Sequence, residues 1–124
     1  MGRHSEIHDL EREIAECEEA LCLLDDKEKI IRRLQAEIVD EVEEPVKNYD
    51  MTAAGEFRGN IETDAEDMQH HIYGEMHLTQ ERTSKLLAEI VQAKERIREH
   101  IEKCQRRIDQ LWEEIEAESR RNAI

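Results

Sequence analysis

Apolar residues recur at steps of three and four over about residues 60–118, and no proline interrupts them. This spacing puts about one side chain per turn on the same face of an α-helix, so it predicts a single amphipathic helix over that range. At 1.5 Å per residue the helix would be on the order of 87 Å long. The positions are Ile61, Ala65, Met68, Ile72, Met76, Thr79, Thr83, Leu86, Ile90, Ile97, Ile101, Cys104, Ile108, Leu111 and Ile115.

A shorter series with the same spacing comes first in the chain and predicts a helix over about residues 6–43. Pro45, the single proline, should end it, because proline donates no backbone hydrogen bond and disfavours helical geometry in the residue before it. The turn is predicted at about residues 44–59. The first series consists of Ile7, Leu10, Ile14, Cys17, Leu21, Leu24, Ile31, Leu34, Ile38 and Val42.

Two long amphipathic helices with a short connection predict an all-α, coiled-coil-like antiparallel hairpin, formed by residues 1–124 as one domain. With 40% charged and 3% aromatic residues, the chain has little material for a thick core. Charge supports the antiparallel arrangement. Residues 1–26 carry nine acids and two bases (net −7), whereas residues 82–107 carry eight bases and four acids (net +4). Folding about residues 49–55 would set residues 1–26 beside about 78–103 and bring the opposite charges together.

The two predicted helices differ in length, on the order of 57 Å against 87 Å. We therefore expect the end of the second helix to project beyond the first, with its apolar stripe uncovered and available to another protein. The isolated chain would then either self-associate, for example as a homodimer, or need a helical partner that completes a bundle of three or four helices. The predicted partner-binding residues are Ile97, Ile101, Ile108, Leu111, Trp112 and Ile115.

Other classes of function find little support in the sequence. The net charge of −14 repels nucleic acid. The sequence has no long apolar run, so we expect neither membrane insertion nor a secretory signal. The protein is therefore expected in the cytoplasm. No cofactor and no catalytic residue is expected, because a thin hairpin offers no concave pocket for a nucleophile. His70, His71 and His77 lack the Glu-x-x-His pattern of a di-iron bundle, so no metal site is predicted. The three cysteines are interpreted as small apolar residues in a reducing compartment.

One short segment breaks the helical pattern. Residues 49–68, YDMTAAGEFRGNIETDAEDM, hold the only phenylalanine and two of the four glycines. From the residues alone this is a packed turn, in which the glycines reverse the chain and Phe57 forms an apolar plug. The order Phe57, Arg58, Gly59 between two amphipathic helices also resembles the Trp-x-Gly motif of the WXG superfamily. The wider context is similar to the YwqH-like small proteins that accompany LXG toxins in type VII secretion.

This resemblance implies a chaperone or targeting partner that bundles with the N-terminal LXG domain of a polymorphic toxin. A second small WXG-like protein could join the complex, and export with the partner through the type VII system stays open. The usual C-terminal export signal, Tyr-x-x-x-Asp/Glu, is not present, and Trp112 with Glu116 is its nearest imitation. The alternative from the residues is a homo-oligomeric coiled-coil scaffold or a prefoldin-like chaperone.

Overall fold

The computed structural model describes residues 2–48 and 60–123, and these residues are almost entirely helical, with no strand among them. Helix α1 runs Arg3–Ile38, a π-helical segment follows at Val39–Glu43, α2 runs Glu44–Asn48 and α3 runs Asn60–Asn122. The prediction of an all-α antiparallel hairpin is confirmed. The Phe57-Arg58-Gly59 motif and most of the predicted turn lie outside the described residues.

The helix around Pro45 differs from the prediction. We expected the first helix to stop before Pro45, but the residues from Glu44 to Asn48 are helical. The π-helical segment explains how. Its wider turn lets the backbone N–H of Glu44 donate to the carbonyl of Val39, five residues back. The widened turn thus changes the backbone around the proline ring, which in a regular α-helix would clash with the carbonyl four residues before it.

The chain contacts divide into two units, each containing a stretch of α1 and a stretch of α3. Unit 1 comprises Met1–Lys27 and Ile90–Ile124, and unit 2 comprises Glu28–Glu89. The clearest apolar core lies in unit 1, where Ile7 of α1 packs with Ile108 and Leu111 of α3. Leu10, Ile14 and Ile115 are partly buried against this cluster.

Ion pairs in unit 1 show which residues of the two helices face each other. Arg107 donates to Glu6 at 3.0 Å, and Arg3 pairs with Glu114 at 3.1 Å and with Glu118. The hydrogen bond from each guanidinium to its first carboxylate partner, Glu6 or Glu114, raises the pKa of Arg107 and of Arg3. These contacts join the N-terminal turns of α1 to the C-terminal turns of α3, as in an antiparallel arrangement.

The observed pairing of α1 with α3 differs from the pairing that we assumed when we predicted an overhang. Folding about residues 49–55 would set Glu6 opposite residue 98, but its observed partner Arg107 lies nine residues further along α3. The N-terminus of α1 therefore reaches the last turns of α3, and α1 of the same chain packs on residues beyond 100. Ile108 and Leu111 were predicted to bind a partner, but they are instead buried against Ile7.

A buried ammonium group lies further along the unit 1 interface. Lys94 is only 9% exposed, and its Nζ donates to Asp25 Oδ1 at 2.5 Å. Removing one partner of such a pair leaves a desolvated charge with weaker compensation, which is destabilising.

We therefore expect Asp25→Asn to lower the free energy of unfolding by about 1 to 2 kcal/mol, reduced from the fully buried case because Asp25 is half-exposed. Asp26→Asn is the matched control, since Asp26 is exposed, and it should change the unfolding free energy by less than about 0.5 kcal/mol. Urea unfolding followed by circular dichroism measures both. Equal effects at the two positions would contradict the structural role of the Lys94 pair.

Candidate interaction surface

Unit 2 leaves most of its large apolar side chains in contact with solvent. Leu87 is its one residue in the buried apolar core among the described residues. On the first arm of the hairpin four exposed apolar residues follow one another at steps of four, so they lie along the same side of the helix. We group these four with the exposed apolar residues of α3 in unit 2 under the name unit 2 apolar surface: Ile30, Leu34, Ile38, Val42, Met68, Ile72, Leu78 and Leu86.

Polar side chains make the described hydrogen bonds between the two helical stretches of unit 2. Gln35 Nε2 donates to the carbonyl of Gln80 at 3.2 Å and to Ser84 Oγ at 3.0 Å. Gln80 Nε2 donates back to the carbonyl of Gln35 at 3.1 Å. Gln69 Nε2 donates to the carbonyl of Val46. A polar residue at a helix interface fixes the alignment of the two helices at a cost in stability. In unit 2, these polar contacts between the helices occur together with apolar side chains that are exposed to solvent.

The residues predicted to bind a partner differ in their exposure to solvent. Ile97, Ile101 and Ile115 are half-buried within unit 1. Trp112 is 44% exposed, and its ring meets that of His4 edge-on with centroids 5.6 Å apart. With Ile108 and Leu111 in the core, the predicted set does not form one uncovered stripe.

The sequence contains a signal for some of the exposed residues, namely pairs of adjacent apolar residues. In unit 2, Ile31 is half-buried and Leu87 is buried, whereas their neighbours Ile30 and Leu86 are exposed. In unit 1 the pairs Leu23–Leu24 and Ile90–Val91 also have one exposed member. A second apolar residue beside a seam position points about 100° away around the helix, which widens the apolar face beyond what one partner helix covers.

The unit 2 apolar surface lies in the more acidic unit. Residues 28–89 contain 15 acidic and 7 basic residues, which gives a net charge of −8 out of the total of −14. Like charges repel, whereas a basic surface is attracted and guided to its binding site. Charge therefore favours a basic partner over a second acidic chain.

Other types of site receive little support from the described residues. Met68 and Ile72 neighbour His70 and His71, but these histidines are exposed and belong to no group of three possible metal ligands in the described part of the chain. Among the described residues, no helix has the length and hydropathy needed to cross a membrane.

Together these features define an all-α helical hairpin with exposed apolar side chains in the more acidic of its two units. Comparison with known proteins adds no family to this description. No protein-family model, no curated protein and no solved structure matches the chain.

Proposed function

We propose that the protein is a non-enzymatic helix-bundle partner that binds an amphipathic helical segment of another protein through the unit 2 apolar surface. The observation that carries the proposal is the contrast between the two units. Unit 1 buries Ile7, Ile108 and Leu111 together, whereas eight large apolar residues of unit 2 are exposed. An apolar helical surface of this kind is covered in other bundles by a further helix.

The apolar spacing and the net charge of unit 2 indicate what kind of partner would bind there. The exposed apolar residues that follow one another at steps of four from Ile30 to Val42 match the period of a partner helix with one apolar face. The net charge of −8 calls for lysine and arginine beside that face. The partner is therefore expected to present a basic amphipathic helix or helical hairpin.

The resemblance to WXG-like proteins suggests which class of protein this partner belongs to. We propose that it is the N-terminal helical LXG domain of a toxin secreted by the type VII system, with this protein as its chaperone or targeting factor. Support comes from the order Phe57, Arg58, Gly59 between two long helices and from the exposed apolar face of unit 2. A second small WXG-like protein could occupy another side of the same bundle.

Charge substitutions on the apolar surface test the binding role. The double variant Ile38→Glu, Ile72→Glu should weaken partner binding at least about 100-fold, since it places two charges in an interface that must be dry. Leu23→Glu is the matched control, because Leu23 is an exposed apolar residue of unit 1. It should retain binding within about threefold. Co-expression with LXG domains identifies the partner, and calorimetry on the purified complex measures the affinities.

Three results would overturn parts of this proposal. If no LXG domain co-purifies with the chain, the toxin assignment falls while the interaction surface stands. If the double variant binds a partner as tightly as Leu23→Glu does, the surface itself is wrong. Self-association that the double variant abolishes would make a second copy of the chain the occupant and would contradict a basic partner.

A further inference from the structure

Glu13, His100 and Cys104 come together on the two helical stretches of unit 1. The Nε2 atom of His100 lies 2.6 Å from Glu13 Oε1 and 3.6 Å from Cys104 Sγ. One potential ligand atom from each of the three residues lies within 4.8 Å of the other two. His100 and Cys104 are one turn apart on α3, and Glu13 reaches them from α1.

We propose that these three side chains form a binding site for a zinc ion, which would tie α1 to α3 within unit 1. Imidazole nitrogen, thiolate sulfur and carboxylate oxygen are the three donor types that Zn²⁺ takes in proteins. The sulfur donor argues against Mg²⁺ and Ca²⁺, which prefer oxygen ligands. This inference is independent of the partner proposed for unit 2.

The distances fit such a site with a small adjustment. Zinc bonds of about 2.0 to 2.3 Å at tetrahedral angles separate neighbouring ligand atoms by roughly 3.3 to 3.8 Å. The separation of 3.6 Å between His100 Nε2 and Cys104 Sγ falls in that range. The Glu13 oxygen, now within hydrogen-bonding distance of His100, would have to move away by under about 1 Å. Since Glu13 and His100 are exposed, their side chains have room to do so.

The surroundings of Cys104 are consistent with a thiol that is built into the helix interface. Its side chain is buried. Cys17 lies one turn beyond Glu13 on α1 and is half-buried. Its sulfur does not belong to the group of three neighbouring ligand atoms, so a water molecule would supply the fourth coordination position.

Binding to a site that requires both helices stabilises the folded chain. A zinc concentration of 100 times the dissociation constant would lower the unfolding equilibrium constant about 100-fold, because the unfolded chain does not hold the three ligands together. The bound zinc would thus hold α1 and α3 together within unit 1, the unit that contains the main apolar core.

Cobalt and zinc titrations of the full-length reduced protein test the site. We expect one Co²⁺ per chain, with tetrahedral visible bands and thiolate-to-cobalt charge-transfer absorption, and displacement of cobalt by Zn²⁺. Glu13→Gln and His100→Gln should each weaken Zn²⁺ binding at least about tenfold, as measured by calorimetry. Cys104→Ser should abolish the charge-transfer band. Cys22→Ser is the matched control, because Cys22 is an exposed cysteine of α1 outside the cluster, and it should bind like the parent chain.

Glu13 and His100 are exposed, so their substitution leaves the core intact and the test does not depend on the buried cysteine. Circular dichroism on each variant confirms that the helices persist. The proposal is overturned if the parent chain shows no charge-transfer absorption with Co²⁺. It is equally overturned if His100→Gln and Glu13→Gln bind Zn²⁺ as tightly as Cys22→Ser.

Discussion

Replacing Leu111 with alanine should lower the free energy of unfolding by about 3 kcal/mol, within the range observed for buried leucines. Leu111 is 1% exposed and packs with Ile7 and Ile108, so the substitution removes apolar contacts and leaves a cavity at the centre of the unit 1 core. Urea unfolding followed by circular dichroism measures the change.

The control for this experiment is Leu23→Ala, which makes the same chemical change at a side chain that is 58% exposed. It should alter the unfolding free energy by less than about 0.5 kcal/mol. The comparison also tests the register of the hairpin. If Leu111 lay on an uncovered overhang, the two substitutions would have similar and small effects, and such a result would contradict the core described above.

Deletion of residues 105–124 should expose the first turns of α1, although those residues lie at the other end of the sequence. The deletion removes Ile108 and Leu111 from the core, together with Arg107 and Glu114, the partners of Glu6 and Arg3. Loss of burial amounts to about 1.5 to 3 kcal/mol for each large apolar side chain, Ile7 included. Since 1.4 kcal/mol corresponds to a factor of ten, amide hydrogen exchange in residues 3–14 should accelerate more than about 100-fold.

A shorter deletion serves as the control. Removing residues 119–124 leaves Glu114 and Glu118 in place for Arg3 and retains Ile108 and Leu111. Hydrogen exchange in residues 3–14 should then stay within about threefold of the parent chain. Unchanged protection of α1 after the longer deletion would show that its N-terminal turns do not pack on the end of α3, and would restore the overhang that the sequence suggested.

The helices themselves could be predicted because their signal is local. Apolar residues at steps of three and four and the absence of proline over about residues 60–118 indicated a helix, and α3 runs Asn60–Asn122. Pro45 was a less reliable signal. Its effect on the backbone depends on whether neighbouring turns can widen, and the π-helical segment Val39–Glu43 provides that widening.

The candidate sites were harder to predict because they depend on which residues face each other across the hairpin. Glu13 is 87 positions from His100, and no spacing within the sequence connects them. The predicted overhang depended on the same pairing, because a shift of nine residues along α3 brings residues beyond 103 opposite α1. Paired apolar residues such as Ile30–Ile31 did signal a wider apolar face, but they do not show which member is buried.

The amino-acid sequence by itself determined that this protein is a pair of long amphipathic helices that fold back on each other, because helical periodicity and chain reversal are encoded within short stretches. Only the tertiary structure decided the register, and with it the burial of Leu111, the exposure of Ile38 and Ile72, and the meeting of Glu13 with His100. The physical reason is that a repeating apolar seam can pair at several offsets with similar burial. Exposed ion pairs distinguish these offsets by only about 0 to 1 kcal/mol each, so the choice depends on how particular side chains such as Ile7, Ile108 and Leu111 pack together.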